Sequence, residues 1–273
     1  MSYHNATLSA LRDLMLRTFT QGFVSKPRGM EIRELLNAQV TVQTFVPFQC
    51  WPDRKYDIGY FKKEMRWKLG ASKFDDSIKQ HAKMWESVQN PDGTFNSNYG
   101  QFWFGQQMGV MKVVMELIRD QDSRRAIIPM LTDDHLSPET VDTVCTEAVS
   151  FHIRHNTLYT SVHMRSSDQI FGLGTDIPTF SVLTHLVHGL LQANYPSLQV
   201  GSMTITAASS HIYERHYRMV DKILDNLEDI PDSEIVILPQ CSGPDEAMAI
   251  IAHRGIAQRL PASWHLYRFI YGD

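Results

Sequence analysis

The stretch 145–176 holds the densest set of side chains that can do chemistry: CTEAVSFHIRHNTLYTSVHMRSSDQIFGLGTD. A lone cysteine, Cys145, opens one run of strand-like residues. An Arg165-Ser166-Ser167-Asp168 cluster closes the next, and a loop from Gly172 ends in Asp176 just before a helix. A thiolate is a strong nucleophile that can also leave again. An arginine carries fixed positive charge on a planar fork that suits phosphate. Each residue also has a plainer reading. A lone cysteine in an apolar strand is commonly a buried hydrophobe, and Cys50 and Cys241 keep that reading. The pair Arg124-Arg125 in a polar turn is ordinarily a solvated surface, Glu64 a solvated helix charge, and Trp85 and Tyr99 core aromatics. Asp176 is also placed to cap the helix beginning near Pro178. The histidines offer no metal spacing. His152 and His155 sit on a strand-turn, His211 and His216 are five apart, and neither pair is HExxH, so no metal site is expected.

These residues need elements to hold them. Residues 6–19 have helical spacing, with Leu8, Leu11, Leu14 or Met15, and Phe19 on one face and Thr7 or Asn5 as cap. Residues 38–47 are β-branched and aromatic and stop at Pro47, which predicts a strand. Helices are expected over 57–69 and 74–88, separated by Gly70, and over 106–119. Two strands, 144–154 and 157–164, suit a hairpin turning at His155 and Asn156. A helix is expected from about Pro178 to Ala193, a strand over 198–207, and a helix over 210–227 with Ile212, Met219, Ile223 and Leu227 inward. The tail reads as a short strand (EIVIL, 234–238), a Gly-Pro turn and a last helix. No GxGxxG loop or βαβ repeat is present. The expectation is an α/β (α+β) fold, one mixed-sheet domain with surrounding helices over 1–273.

Composition narrows the function classes. The chain has 273 residues, 26 Lys+Arg against 30 Asp+Glu, a net charge of −4 and 43% hydrophobic residues. That balance argues against a general nucleic-acid binder. Three scattered cysteines without a CxxC pair argue against a disulfide framework or a cysteine-rich zinc site. No leader pattern or membrane-spanning run is read at the N-terminus or elsewhere, so a reducing cytoplasm is the expectation.

The order of motifs resembles the thymidylate synthase family of pyrimidine-nucleotide C5-transferases. The family's cysteine, R-S-x-D cluster and G-x-x-x-[ND] loop correspond to Cys145, Arg165 through Asp168, and Gly172 through Asp176. Its paired arginines match Arg124 and Arg125 in DSRRAII, and its H-x-Y matches His211 and Tyr213. Its glutamate matches Glu64 in KKEMRW, its tryptophan Trp85, and its Tyr-Gly pair Tyr99 in NSNYG. A basic residue of the N-terminal phosphate loop matches Arg28, with Lys26 as competitor. Two departures point to a branch. Thymidylate synthases carry His after the cysteine, where this chain has Thr146, and Asn at the base-reading position, where it has Asp176. Both changes resemble phage-type deoxycytidylate hydroxymethylases, which belong to phage DNA modification.

The resemblance implies a fold, a reaction and a set of roles. Cys145 adds to C6 of the base, which makes C5 enamine-like, with Arg165 as the neighbour that lowers the thiol pKa. Glu64 manages protons through water, and Tyr99 lies beside the nucleophile. Arg28, Arg165 and Ser166 meet the phosphate, Arg124 and Arg125 reach it from a second subunit, and His211 and Tyr213 bind the sugar. Asp168, Trp85 and Gly172 border the co-substrate, 5,10-methylenetetrahydrofolate. Asp176 reads the base: its carboxyl accepts from cytosine N4–H and shares a proton with N3. The expected product is 5-hydroxymethyl-dCMP, made by a homodimer with shared sites, without metal, membrane or nucleic acid. Alternatives are a reductive dCMP methyltransferase, a CMP hydroxymethylase, a dUMP-specific thymidylate synthase, and a non-catalytic nucleotide- or RNA-binding relative. The C-terminal SWHLYRFIYGD departs from the family's closing tail, so the role of 234–273 as a lid stays open.

Overall fold

The computed structural model describes residues 3–226, 230–231, 234–252 and 260–272. Its strands are β1 (Phe23–Ser25), β2 (Ile32–Gln43), β3 (Ile127–Pro129), β4 (Thr146–Arg154), β5 (Thr157–Asp168) and β6 (Gln199–Tyr213). They make one mixed sheet in the order β1-β2-β6-β5-β4-β3. The helices are α1 (Tyr3–Gln21), α2 (Ile58–Leu69), α3 (Met84–Val88), α4 (Gly100–Trp103), α5 (Gly109–Arg119), α6 (Gly172–Leu191), α7 (Tyr217–Asp225), α8 (Pro244–Ile251) and α9 (His265–Tyr271). The expected α+β class, a mixed sheet with surrounding helices, is what the chain forms. It divides into two compact units. Unit one holds residues 1–56, 161–182 and 201–238, and unit two holds 57–160, 183–200 and 239–273.

In unit one, α1 buries Leu8, Leu11, Leu14 and Met15 as its spacing predicts. The helix starts at Tyr3, so Thr7 is inside it. Its hydroxyl accepts from the Gln43 amide at 3.1 Å instead of capping. Strand β2 occupies 32–43, not 38–47, because the chain turns where Val46 N bonds Gln43 O. It alternates cleanly at its end, with Ala38, Val40 and Val42 buried. It pairs antiparallel with β6 from Ile32↔Tyr213 to Gln43↔Ser202. That long pairing corrects the helix expected over 210–227: residues 210–213 continue the strand, and the helix is Tyr217–Asp225. Ile212 and Ile223 are buried as expected, Met219 is only half-buried, and Leu227 lies outside the described residues. The EIVIL segment forms no strand. Leu238 instead buries its side chain and donates its amide to Phe45 O.

In unit two, Asp57 caps α2 by accepting from Tyr60 N at 2.8 Å, and α2 ends at Gly70. The helix expected over 74–88 is broken into a 3-10 turn, Ser77–Gln80, and α3. The Trp67 indole takes the Asp75 carbonyl at 2.7 Å, and Asp75 Oδ1 accepts from Ser77 N, so backbone groups a helix would use are spent elsewhere. Helix α5 starts at Gly109 rather than 106 because Met108 is left-handed, φ 48°. Strands β4 and β5 turn at His155 and Asn156, both with positive φ (47° and 55°), which is the hairpin geometry expected. Two helices close the tail, α8 and α9, where one was expected.

Helix α6 is the largest correction. It starts at Gly172, six residues before Pro178, so the expected loop is its first turn and Asp176 lies inside it rather than capping it. The start is set by Asp168, whose carboxylate accepts from Ile170 N (3.1 Å) and Phe171 N (3.3 Å). From Ile177 to Leu191 the helix is buried throughout. A run buried on every face, its polar residues included, gives no exposed stripe from which to read a boundary.

Candidate active site

Of the expected site residues, Glu64, Trp85, Tyr99, Arg124, Arg125 and Cys145 belong to unit two. Arg28, Arg165, Ser166, Asp168, Gly172, Asp176, His211 and Tyr213 belong to unit one.

In unit two, Cys145 stands half-buried one residue ahead of β4. The segment before it is clamped by the loop 90–98. Asn90 Oδ1 accepts from the amides of Val141 and Asp142, both at 3.0 Å. Asp142 in turn accepts from Ser97 N at 2.7 Å and Ser97 Oγ at 2.5 Å. The motif NSNYG is therefore tied to the chain three residues ahead of Cys145. Its fourth residue is Tyr99, whose hydroxyl accepts from Thr146 Oγ1 at 3.3 Å. Tyr99 is buried, and Lys68 Nζ lies 5.0 Å from the centroid of its ring. Lys68 also donates to Glu64 Oε1 at 2.6 Å, one turn apart on α2. Thus Glu64, Lys68, Tyr99 and Thr146 form a continuous run of side chains ending beside Cys145. Gly100 makes this possible: a Cβ there would lie 1.5 Å from Lys68 O, so only glycine lets α4 lie against α2.

Trp85 is buried in a cluster with Trp67, Ile78 and Phe95, and its indole donates to Tyr60 Oη at 2.9 Å. Arg124 and Arg125 are exposed on the loop after α5. That loop is stitched by Ser123, which donates to Glu116 Oε1 at 2.6 Å and accepts from Arg125 N at 3.1 Å. The two arginines line a surface depression with Glu116, Arg119, Asp120, Asp122 and Ser123.

In unit one, Arg165 and Ser166 are half-buried near the end of β5. A Cβ at Gly172 would sit 3.3 Å from Asp168 Cβ and 4.0 Å from Asp176 Oδ2, so this glycine lies between the two carboxylates. His211 and Tyr213 lie two apart on β6, ring to edge at 5.0 Å. The Gln169 amide donates to His211 O, which ties the end of β5 to β6. Burial pushes the pKa of His211 and of His216 down, against the pull of the Asp168 charge. Hydrogen bonds from Ser209 and Ser25 pull Glu34 below the usual carboxylate range. Arg28 is exposed at a left-handed turn position, φ 52°, and Lys26 pairs with Glu31 at 3.1 Å. The other thiols are damped: burial raises the pKa of Cys50 and pushes that of Cys241 up to about 12.

Several residues here were not expected from the sequence. Lys68 follows Glu64 by four, which is a readable i,i+4 pair. Arg54 gave no signal. Its buried guanidinium donates to Ile170 O at 3.0 Å and lies 5.0 Å from the Phe171 ring. It packs on Gly174, where a Cβ would meet it at 2.7 Å. Asp142 and Asn90 were equally silent. Among the described residues no cluster of three metal-ligating side chains occurs, and no helix is long and apolar enough to cross a membrane.

A family model described as thymidylate synthase matches residues 10–242. A deoxycytidylate 5-hydroxymethyltransferase of Enterobacteria phage T6 is 28% identical over 208 residues, 73% of this chain and 82% of that one. Its counterpart in Enterobacteria phage T4 is 29% identical with the same coverage. A thymidylate synthase of Fusobacterium nucleatum is 30% identical over 165 residues, 59% of this chain and 57% of that one.

Proposed function

The chain belongs to the thymidylate synthase family, and on that premise we propose that it transfers a one-carbon unit to C5 of dCMP to give 5-hydroxymethyl-dCMP. The observation that carries this reading is the run Glu64, Lys68, Tyr99 and Thr146 leading to Cys145. It puts a buried carboxylate and a half-buried thiol in one compact unit, which suits proton handling and nucleophilic addition. Cys145 Sγ adds to C6, C5 attacks the incoming carbon, and the C5 proton leaves through water to Glu64. The carrier's nitrogen leaves the transferred carbon, water adds to the exocyclic methylene so formed at C5, and loss of the sulfur from C6 ends the cycle.

Methylenetetrahydrofolate supplies that carbon when bound. The residues at the start of α6 fit such a group. Phe171 is 46% exposed, and the Asp168 carboxylate stands three residues before it. Together they offer an aromatic face and an acceptor for ring N–H groups. Asp168, Gly172 and Trp85 take the folate in this reading. Asp176 takes the cytosine edge, Arg28, Arg165 and Ser166 the phosphate, and His211 and Tyr213 the sugar. Arg124 and Arg125, exposed on their loop, serve the site of a second copy in a homodimer, and the whole chain acts as one catalytic domain. The three unbridged thiols suit a reducing cytoplasm.

The test is C5-tritium release from labelled dCMP with methylenetetrahydrofolate, followed by product mass. Hydroxymethylation adds about 30 Da and reductive methylation about 14 Da, by the formulas of the groups gained at C5. A product heavier by the smaller amount overturns hydroxymethylation. No release above the Cys145→Ala background overturns catalysis.

A further inference from the structure

We propose that Lys68 is a positioning residue for the reaction, fixing one oxygen of Glu64 so that the other handles the proton. This rests on the reading of Glu64 as the acid-base group. Lys68 Nζ and Glu64 Oε1 are 2.6 Å apart, and their side chains are 3% and 8% exposed. A buried ion pair is poor evidence of stabilisation, because removing two charges from water costs about what their attraction returns. Two apolar side chains one turn apart on α2 would hold this helix as well. The pair therefore calls for another use, and its surroundings supply one.

Oε1 is committed to Lys68, and no described residue hydrogen-bonds Oε2. Oε2 is then the oxygen available to a water or to the base. A general acid-base group must hold its reacting atom within hydrogen-bond reach of the proton it moves. A short glutamate with three rotors does so only when something fixes it. Lys68 is itself fixed at both ends. Its backbone carbonyl is pressed by α4 at Gly100, and its ammonium lies 5.0 Å from the Tyr99 ring centroid. Tyr99 in turn meets Thr146, beside Cys145. The geometry thus ties the orientation of Glu64 to the loop that bears the nucleophile.

The experiment is a double-mutant cycle on the full-length enzyme with Lys68→Met, Glu64→Gln and both together. It reads kcat and KM for dCMP and C5-tritium release per folded site. Lys68→Met is expected to lower kcat at least about tenfold with KM within about twofold. In the Glu64→Gln background the same change is expected to cost less than about twofold, because the residue it acts through is gone. A merely structural role would instead lower both backgrounds alike. Where Lys68→Met does not fold for want of a partner to Glu64, the double variant still decides, since it buries no charge. Turnover equal to Glu64→Gln supports the proposal, and turnover more than about fivefold lower overturns it. A wild-type chain that releases tritium while Lys68→Met keeps full kcat overturns this proposal alone. A wild-type chain that releases none from dCMP or dUMP overturns the function reading and this one with it.

Discussion

Single residues carry the sharpest tests. Cys145→Ala removes the proposed nucleophile and is expected to lower C5-tritium release about 10⁴-fold with the fold intact, read by activity beside circular dichroism. Asp176→Asn exchanges a carboxyl for an amide that pairs with uracil O4 and N3–H. The ratio of kcat/KM for dCMP over dUMP is expected to fall by about two orders of magnitude or more. Parallel assays of both nucleotides check it, and an unchanged ratio sinks the role given to Asp176. These residues stood out because their order resembles the family's motifs; by type alone each had a plainer reading. Their partners were less readable. Asp142 and Asn90, which clamp the chain ahead of Cys145, are far apart in sequence and carry no motif. Only the fold brings them together.

At the scale of elements, the contact of α4 with α2 is the one to break. Gly100→Ala would place a methyl group 1.5 Å from the Lys68 carbonyl oxygen, an atom that cannot move without shifting α2. A loss of about 3 kcal/mol or more is expected, with a Tm lower by about 10 °C. A calorimetric scan checks it, and activity should fall with it because Tyr99 moves. Elements with one clean period, such as α1 and the β4–β5 hairpin, were legible from sequence. Those that failed had a competing demand. Residues 210–213 read as helix by their spacing, but pairing with β2 along its whole length overrode local preference. The fully buried run of α6 from Ile177 offered no exposed face from which to read a period, so Asp176 was set at a helix end when it lies a turn inside.

At the scale of the whole molecule, the proposed sharing of sites and the collective titration of histidines make two further predictions. A 1:1 mixture of Cys145→Ala with Arg124→Ala/Arg125→Ala chains, each inactive alone, is expected to regain about a quarter of wild-type activity. Random pairing leaves half the dimers hybrid, each with one intact site. No recovery after co-refolding would place both arginines in their own chain's site. The second prediction concerns acid. His135, His152, His188, His211 and His216 are all held below the usual histidine range, chiefly by burial. A depressed native pKa means that the unfolded chain binds protons first. Stability is therefore full above about pH 6.5 and is lost as pH falls from there towards the native values. Melting temperatures from pH 8 to 5 should be flat at first and then decline. The pairing of Glu64 with Lys68 has a consequence of a different kind, for the order of events in folding. The two charges sit one helical turn apart, and a helical turn closes in about a microsecond or less. They meet while still in water, before the core that buries them assembles. Neither charge crosses into the interior alone, so the pair adds little to the barrier of the folding reaction.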